Sequence, residues 1–444
     1  MPGVHEPKND LGRKRHFITE KIVRQPLTRR QIIKRFLALC FCAAVFGVIA
    51  AVSFVFTQPL AVRMLGTEET EESTISFPKD EPTEMTEATE PETETVSETE
   101  PESESEPVEE LVQDAMERYH FTVDDLNKMF SSLRSQVQSV NKGIVVVHSV
   151  QQGTDWFDNP VETSGQYAGA VIARTAQELV IMTPEDAVER ADSIKVTFGD
   201  GQEVDGRMKQ KDSTSGMAIV SVNLADLEEG TSSSVKELVL GNSYKVREGD
   251  LVIAVGGPSG MVYSIDYGFV SYISRNTQMV DRNNRVIYTN LSTNVSTGTF
   301  LVNTSGELIG WAMEPRQEAG EGTAQMAEIM GISDYKAILE KLTNGLGAPY
   351  FGIEGQEVSE AMADQGRPRG IYVTNALADG PAYNAGIQNG DIITRIDDKE
   401  LKTMAEFQNL MDNLECGQLV HVLVRRDGRE EYAELEFQIT VGAR

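Results

Sequence analysis

The sequence predicts a mainly β fold: an all-β body, a small mixed domain after it, and a membrane-spanning helix with a disordered acidic linker ahead of it. Three observations carry this. Short β-type runs punctuated by Gly, Asn, Asp and Ser clusters fill the middle of the chain, with no helices alternating between them. One stretch near the start is uncharged over twenty-one residues. Between the two lies a segment made almost wholly of Glu, Thr, Pro and Ser.

Residues 1–35 hold ten Lys/Arg and three acids, and read as a basic cytosolic tail. "FLALCFCAAVFGVIAAVSFVF", Phe36 to Phe56, follows. As a helix it is ~31 Å long, the thickness of a bilayer's hydrocarbon. It is long for a signal-peptide core and no small-x-small cleavage site follows, so residues 36–57 are expected to stay as a transmembrane anchor. The flank "TRRQIIKR" puts the N-terminus in the cytoplasm and the bulk of the chain outside the cell membrane. Residues 58–110 include "TEATEPETETVSETEPESESEP", too poor in apolar side chains to offset the entropy of ordering, and are expected to be a disordered spacer. Residues 111–142 form a helical lead-in, with Leu126, Met129, Phe130, Leu133 and Val137 on one stripe.

Ten β-type runs then extend from "GIVVVHSV" to "ELIGWAM" within residues 143–335. A connecting helix is expected over 336–349, its pattern beginning within "SDYKAILEKL" from Ser333, and 350–444 mix strands with a helix around "MAEFQNLMDNL". The formal net charge of −29 excludes nucleic acid as a partner, since phosphate would be repelled. Cys40 and Cys42 lie in the apolar run and Cys416 stands alone, which builds neither a disulfide framework nor a metal site; no cofactor is expected.

In order, these runs resemble the HtrA/DegP family of trypsin-like serine proteases. "YAGAVIARTAQELVIMTPEDAV" is similar to the family's GSGVII…GYILTNxHV segment, "KDSTSGMAIVSV" to D-x-x-x-DLAVLKV, and "LGNSYKVREGDLVIAVGGPSG" to LGDS…GDxVxAIGNPxG. "YGFVSYISR" and "NVSTGTFLVNTSGELIGW" resemble GIVSxxxR and PGNSGGPLVNxxGEVIGI. "YFGIEG" and "GIYVTNALADGPAYNAGIQNGDIITRIDDKEL" then resemble a PDZ domain. The resemblance implies a chymotrypsin-like double β-barrel followed by PDZ. The residues agree with it locally: Gly386 and Gly390 suit positive φ in the turns around "GDII", and Pro381 suits the first turn of a short helix.

A hydrolase of this kind needs a nucleophile, an imidazole and a carboxylate that orients it. The family's histidine position, three residues after Thr183, holds Asp186. The aspartate position, just before Met217, holds Gly216. Aligning on Leu301, Val302 and Asn303 puts Thr297 at the serine, with Ser296 adjacent, and Val295 and Thr299 where the family has glycines. The chain's histidines are His5, His16, His120, His148 and His421, none at the expected place. No catalytic set is intact on this reading, and the scaffold keeps its turn without its chemistry. The alternative is an active HtrA-type endopeptidase that degrades misfolded envelope proteins, using Ser296 or Thr297 with another base.

Family PDZ domains receive the free carboxyl end of a peptide on backbone N–H groups and add the peptide as a strand to their own edge. Tyr350, Phe351, Gly352 and Ile353 match that loop, with Met404 and Gln408 on the facing helix. The function expected is therefore a membrane-anchored protease homologue that binds peptide C-termini as a scaffold or regulator. The resemblance further implies a homotrimer or association with an active relative.

Overall fold

The computed structural model describes residues 74–81, 122–154, 160–314, 326–428 and 431–444. The first helix, α1 (Val123–Val140), begins at a capping box: Asp125 N–H donates to the Thr122 hydroxyl and Thr122 N–H to the Asp125 carboxylate. Only the second half of its apolar stripe is buried, at Leu133, Val137 and Val140; Leu126, Met129 and Phe130 remain exposed.

Six strands follow: β1 (Ile144–Thr154), β2 (Pro160–Arg174), β3 (Glu178–Pro184), β4 (Ser193–Thr197), β5 (Glu203–Asp212) and β6 (Met217–Asn223). They close into a barrel in the order β1-β2-β3-β6-β5-β4. The short helix α2 (Asp186–Glu189) follows β3, and α3 (Glu229–Ser234) lies beyond the barrel. A second closed barrel, ordered β10-β11-β12-β9-β8-β7, is built from β7 (Leu251–Gly256), β8 (Asp266–Met279), β9 (Arg282–Thr289), β10 (Thr299–Asn303), β11 (Leu308–Ala312) and β12 (Ala327–Gly331). One apolar cluster joins the barrels, with Met182, Ile219, Phe300 and Trp311 all fully buried. Burying such side chains contributes roughly 1.5–3 kcal/mol each.

Helix α4 (Lys336–Thr343) leads to the third unit. There β13 (Pro349–Tyr350) pairs with β20 (Gly442–Ala443), beside a six-stranded sheet. Its members are β14 (Ile353–Glu357), β15 (Ile371–Ala376), β16 (Ile392–Ile396), β17 (Lys399–Glu400), β18 (Leu419–Arg426) and β19 (Ala433–Thr440), with β14 at an edge. Helices α5 (Glu360–Asp364), α6 (Pro381–Ala385) and α7 (Met404–Asn413) complete it. Gly386 ends α6 at φ 109° and Gly390 turns at φ 94°, as their sequence context predicts.

Residues 74–81 fall within the stretch read as a disordered spacer, yet they dock on barrel 2 and α4. Ile75 exchanges hydrogen bonds with the Asn344 side chain at 2.9 and 2.7 Å, and Phe77 N–H donates to Glu340 at 3.0 Å. Asp80 accepts from the Ser333 hydroxyl at 2.6 Å and pairs with buried Lys336 at 2.8 Å. The expected span at Phe36–Phe56 lies outside the described residues. Among the described residues, no helix is long and apolar enough to cross a membrane.

Candidate functional site

The three expected triad positions meet at one end of barrel 1. Pro184 closes β3, and Glu185 N–H donates to Gly216 O at 2.9 Å, which brings the start of α2 beside the turn before β6. Thr297 O accepts from Ala168 N–H at 2.6 Å, so the loop before β10 lies on β2. Trp311 of β11 fixes the same turn from the other barrel, its indole N–H donating to Ser215 O at 3.1 Å.

No described imidazole stands among the side chains brought together. Asp186, Gly216 and Ser296 are exposed and Thr297 is half-buried. Among the described residues, neither the Asp186 carboxylate nor the Thr297 hydroxyl has a hydrogen-bond partner. Of the histidines described, His148 on β1 bonds Thr197 through Nε2 at 2.9 Å, and His421 sits on β18 beside Glu436. Other titratable neighbours are tuned away from acting as a base. Burial raises the Tyr167 phenol, and the Asp186 charge raises it further. The hydrogen bond to Glu185 raises the Lys211 ammonium, holding it protonated. A general base at neutral pH needs a pKa near 7, and each shift runs the other way.

The turn carries a further obstacle. In a trypsin-like mechanism the nucleophile's own backbone N–H helps to receive the oxyanion. Here Thr297 N–H already donates to Asn294 Oδ1 at 2.8 Å. Asn294 N–H donates to the Thr299 hydroxyl at 3.0 Å, and that hydroxyl donates back to Asn294 O at 3.0 Å. Residues 294–299 are therefore closed on themselves. The sequence signal was present, since an Asx turn needs only Asn with a free N–H a few residues on.

The loop expected to receive a peptide carboxylate has the geometry for it. Gly352 takes φ 81°, and successive N–H groups of Phe351, Gly352 and Ile353 point to one spot. A carboxylate already lies there, that of Asp281 from the turn between β8 and β9. It accepts from Phe351 at 2.9 Å, Gly352 at 3.0 Å and Ile353 at 3.0 Å. Asp281 N–H in turn donates to Ile353 O at 2.7 Å. Phe351, Ile353 and Met404 point into the domain's own core, with Phe351 edge-on to Phe407 at 6.2 Å, while Tyr350 is half-buried. Gln408, on α7, donates to Asn283 O at 2.9 Å.

Asp281 is buried and shares one guanidinium with another buried acid. Arg444 lies 3.7 Å from Asp281 and 3.8 Å from Asp212, at the end of β5. Burial pushes the Asp281 carboxyl up from the ordinary carboxylate range, against the pull of Arg444 and the three N–H donors. Desolvation works to lower the Arg444 guanidinium, but Asp212 and Asp281 more than reverse it and its pKa is raised. Barrel 1, barrel 2 and the third unit thus meet at one buried Asp–Arg–Asp group. Neither Asp281 nor Arg444 was legible as a site residue, because their partners lie far away in the chain.

Two packed six-stranded barrels with the expected triad positions at one barrel end define a trypsin-like scaffold, and the following sheet with its carboxylate loop defines a PDZ domain. Known families agree. A trypsin-like peptidase domain matches residues 167–310 and a PDZ domain matches residues 349–437. The chain is 26% identical over 287 residues to the serine protease Do-like HtrA of Lactobacillus helveticus, covering 61% of this chain and 68% of that protein. It is 26% identical over 329 residues to serine protease Do-like HtrA of Bacillus subtilis (strain 168), covering 68% and 71%. It is also 26% identical over 296 residues to the periplasmic pH-dependent serine endoprotease DegQ of Escherichia coli (strain K12), covering 65% and 62%. In three dimensions it is similar to the HtrA-type protease AlgW with decapeptide, at TM-score 0.51 and 20% identity, over 70% of this chain and 98% of that one. The chain carries a trypsin-like peptidase domain followed by a PDZ domain, and is similar to HtrA-type serine proteases.

Proposed function

We propose that this protein is a catalytically inactive member of the HtrA-like group, anchored in the cell membrane by residues 36–57, that recognises peptide C-termini through its PDZ domain. It serves as a scaffold or regulator of envelope protein quality control, as a homotrimer or beside an active relative. The observation that carries this is the meeting of Asp186, Gly216 and Thr297 at one barrel end with no imidazole among them. Asp186 is exposed, and an aspartate is better suited to orienting a base than to acting as one for a hydroxyl. Support for peptide recognition comes from the carboxylate-receiving N–H groups of Phe351–Ile353 and from a fold neighbour with a decapeptide.

The purified chain should cleave unfolded casein no faster than a Ser296→Ala, Thr297→Ala double variant, and neither should label with a serine-directed phosphonate. Loss of the base alone removes several orders of magnitude from such a triad. The relatives are named as proteases, which favours a second reading, an active endopeptidase. Cleavage by the native chain that the double variant lacks would establish it and refute ours.

A further inference from the structure

The PDZ groove holds a ligand that the chain itself supplies. We propose that the β8–β9 hairpin is a resident occupant of this groove, with Asp281 standing where a peptide's terminal carboxylate would stand. A chain end with a free carboxylate then binds only by displacing the hairpin. This rests on the peptide-recognition reading above and adds to it a built-in competitor.

Four features of the contact support the inference. First, one carboxylate takes all three successive N–H groups of the loop, within 2.9–3.0 Å, the reception the loop would give a chain terminus. Second, Asp281 N–H returns a bond to Ile353 O at 2.7 Å, on the free edge of β14 where an incoming strand would pair. Third, Asp281 sits at φ 61°, a left-handed conformation that costs a non-glycine residue energy. That twist is what turns both its carboxylate and its N–H toward the loop. Fourth, the hairpin is tied on both sides of the groove, to the strand behind β14 and to the facing helix. Gln278 bonds the Thr374 hydroxyl on β15, and Gln408 of α7 donates to Asn283 O at 2.9 Å.

A contact needed only to hold two domains together would not require a buried acid in a strained turn, because apolar packing avoids that desolvation. Beside the hairpin an open cavity of about 690 Å³, lined by Gln278, Asn283, Gln356, Met404 and Gln408 among others, lets an incoming chain approach the groove before its end displaces the hairpin. A tethered occupant acts at high effective concentration, so the apparent affinity for an outside peptide falls by the fraction of grooves that stand open.

The test compares the full chain with its Asp281→Ala variant. Probes are fluorescein-labelled decapeptides ending in Val, Ile, Leu, Phe or Ala with a free carboxylate, each with an amidated twin. Anisotropy should show at least a tenfold tighter binding of some free-carboxylate peptide to the variant, and little binding of its twin. Hydrogen exchange should show the amides of Phe351, Gly352 and Ile353 protected in the native chain and fast in the variant, with protection restored by that peptide. Should Asp281→Ala fail to fold, Gln278→Ala loosens the hairpin without touching the buried acid or the groove helix, and should tighten binding severalfold. Equal affinity for native and variant chains overturns the resident occupant and leaves peptide recognition standing. Unchanged amide protection in Asp281→Ala also overturns it. If the variant's amides become fast and still no peptide binds, peptide recognition fails and the competitor idea fails with it.

Discussion

Gly298 shows how packing alone can require a particular residue in a turn. It lies at φ 96°, and a Cβ there would stand 2.9 Å from Pro184 Cδ and 3.1 Å from Ala168 O. The turn needs glycine for packing whether or not Thr297 reacts. Gly298→Ala should cost about 2–3 kcal/mol, from left-handed strain plus overpacking. A lower urea midpoint at unchanged slope would register it, and a loss under 0.5 kcal/mol would mean that the turn relaxes. Asp186, Gly216 and Thr297 are legible from their distance to neighbouring strand residues, and they lie together because those strands pair in register. Asn294 and Asp281 are not legible in that way, since their roles depend on side chains bonding backbone N–H groups, which no periodicity records.

At the scale of elements, legibility followed burial. The runs that became β3, β6 and β10 are continuous apolar stretches buried along almost their whole length, and the sequence marks them plainly. β5, "EVDGRMKQKD", is polar and buries only Asp212 fully, so it carries no such signal; its place is set by β4 and β6 on either side. β12 is short and follows residues outside the description, and it too was missed. α1 was read as one amphipathic stripe, whereas only its C-terminal half meets the barrels. Leu133→Ala should therefore destabilise by about 2 kcal/mol, the lower end for a buried leucine because Leu133 keeps 8% exposure. Phe130→Ser, at 47% exposure, should change stability by less than ~0.5 kcal/mol. Denaturation of the two variants side by side tests the boundary; equal losses would mean that the exposed half is covered in solution.

Across the whole molecule, the order of barrel, barrel and PDZ was readable from motifs, but the way the three lock together was not. That depends on Arg444, whose guanidinium reaches acids 232 and 163 residues earlier in the sequence. Its ion-pair distances, 3.8 and 3.7 Å, are long, and among the described residues Arg444 Nε and Nη1 and one Asp212 oxygen make no hydrogen bond. Arg444→Met should cost about 3 kcal/mol, the low end for stranding a buried acid, and adding Asp212→Asn should recover part of it. A change within 0.5 kcal/mol in the single variant would show that packing alone holds the junction. The docking of residues 74–81 has a different consequence. Glu81 and Thr122 belong to one folded body, so both ends of the acidic-rich connection between them are fixed on it. The connection's closure cost rises only with the logarithm of its length. Halving it should stabilise the fold by about 0.6 kcal/mol and doubling it should cost the same, so selection can lengthen or recharge this stretch at almost no expense to the domains it joins.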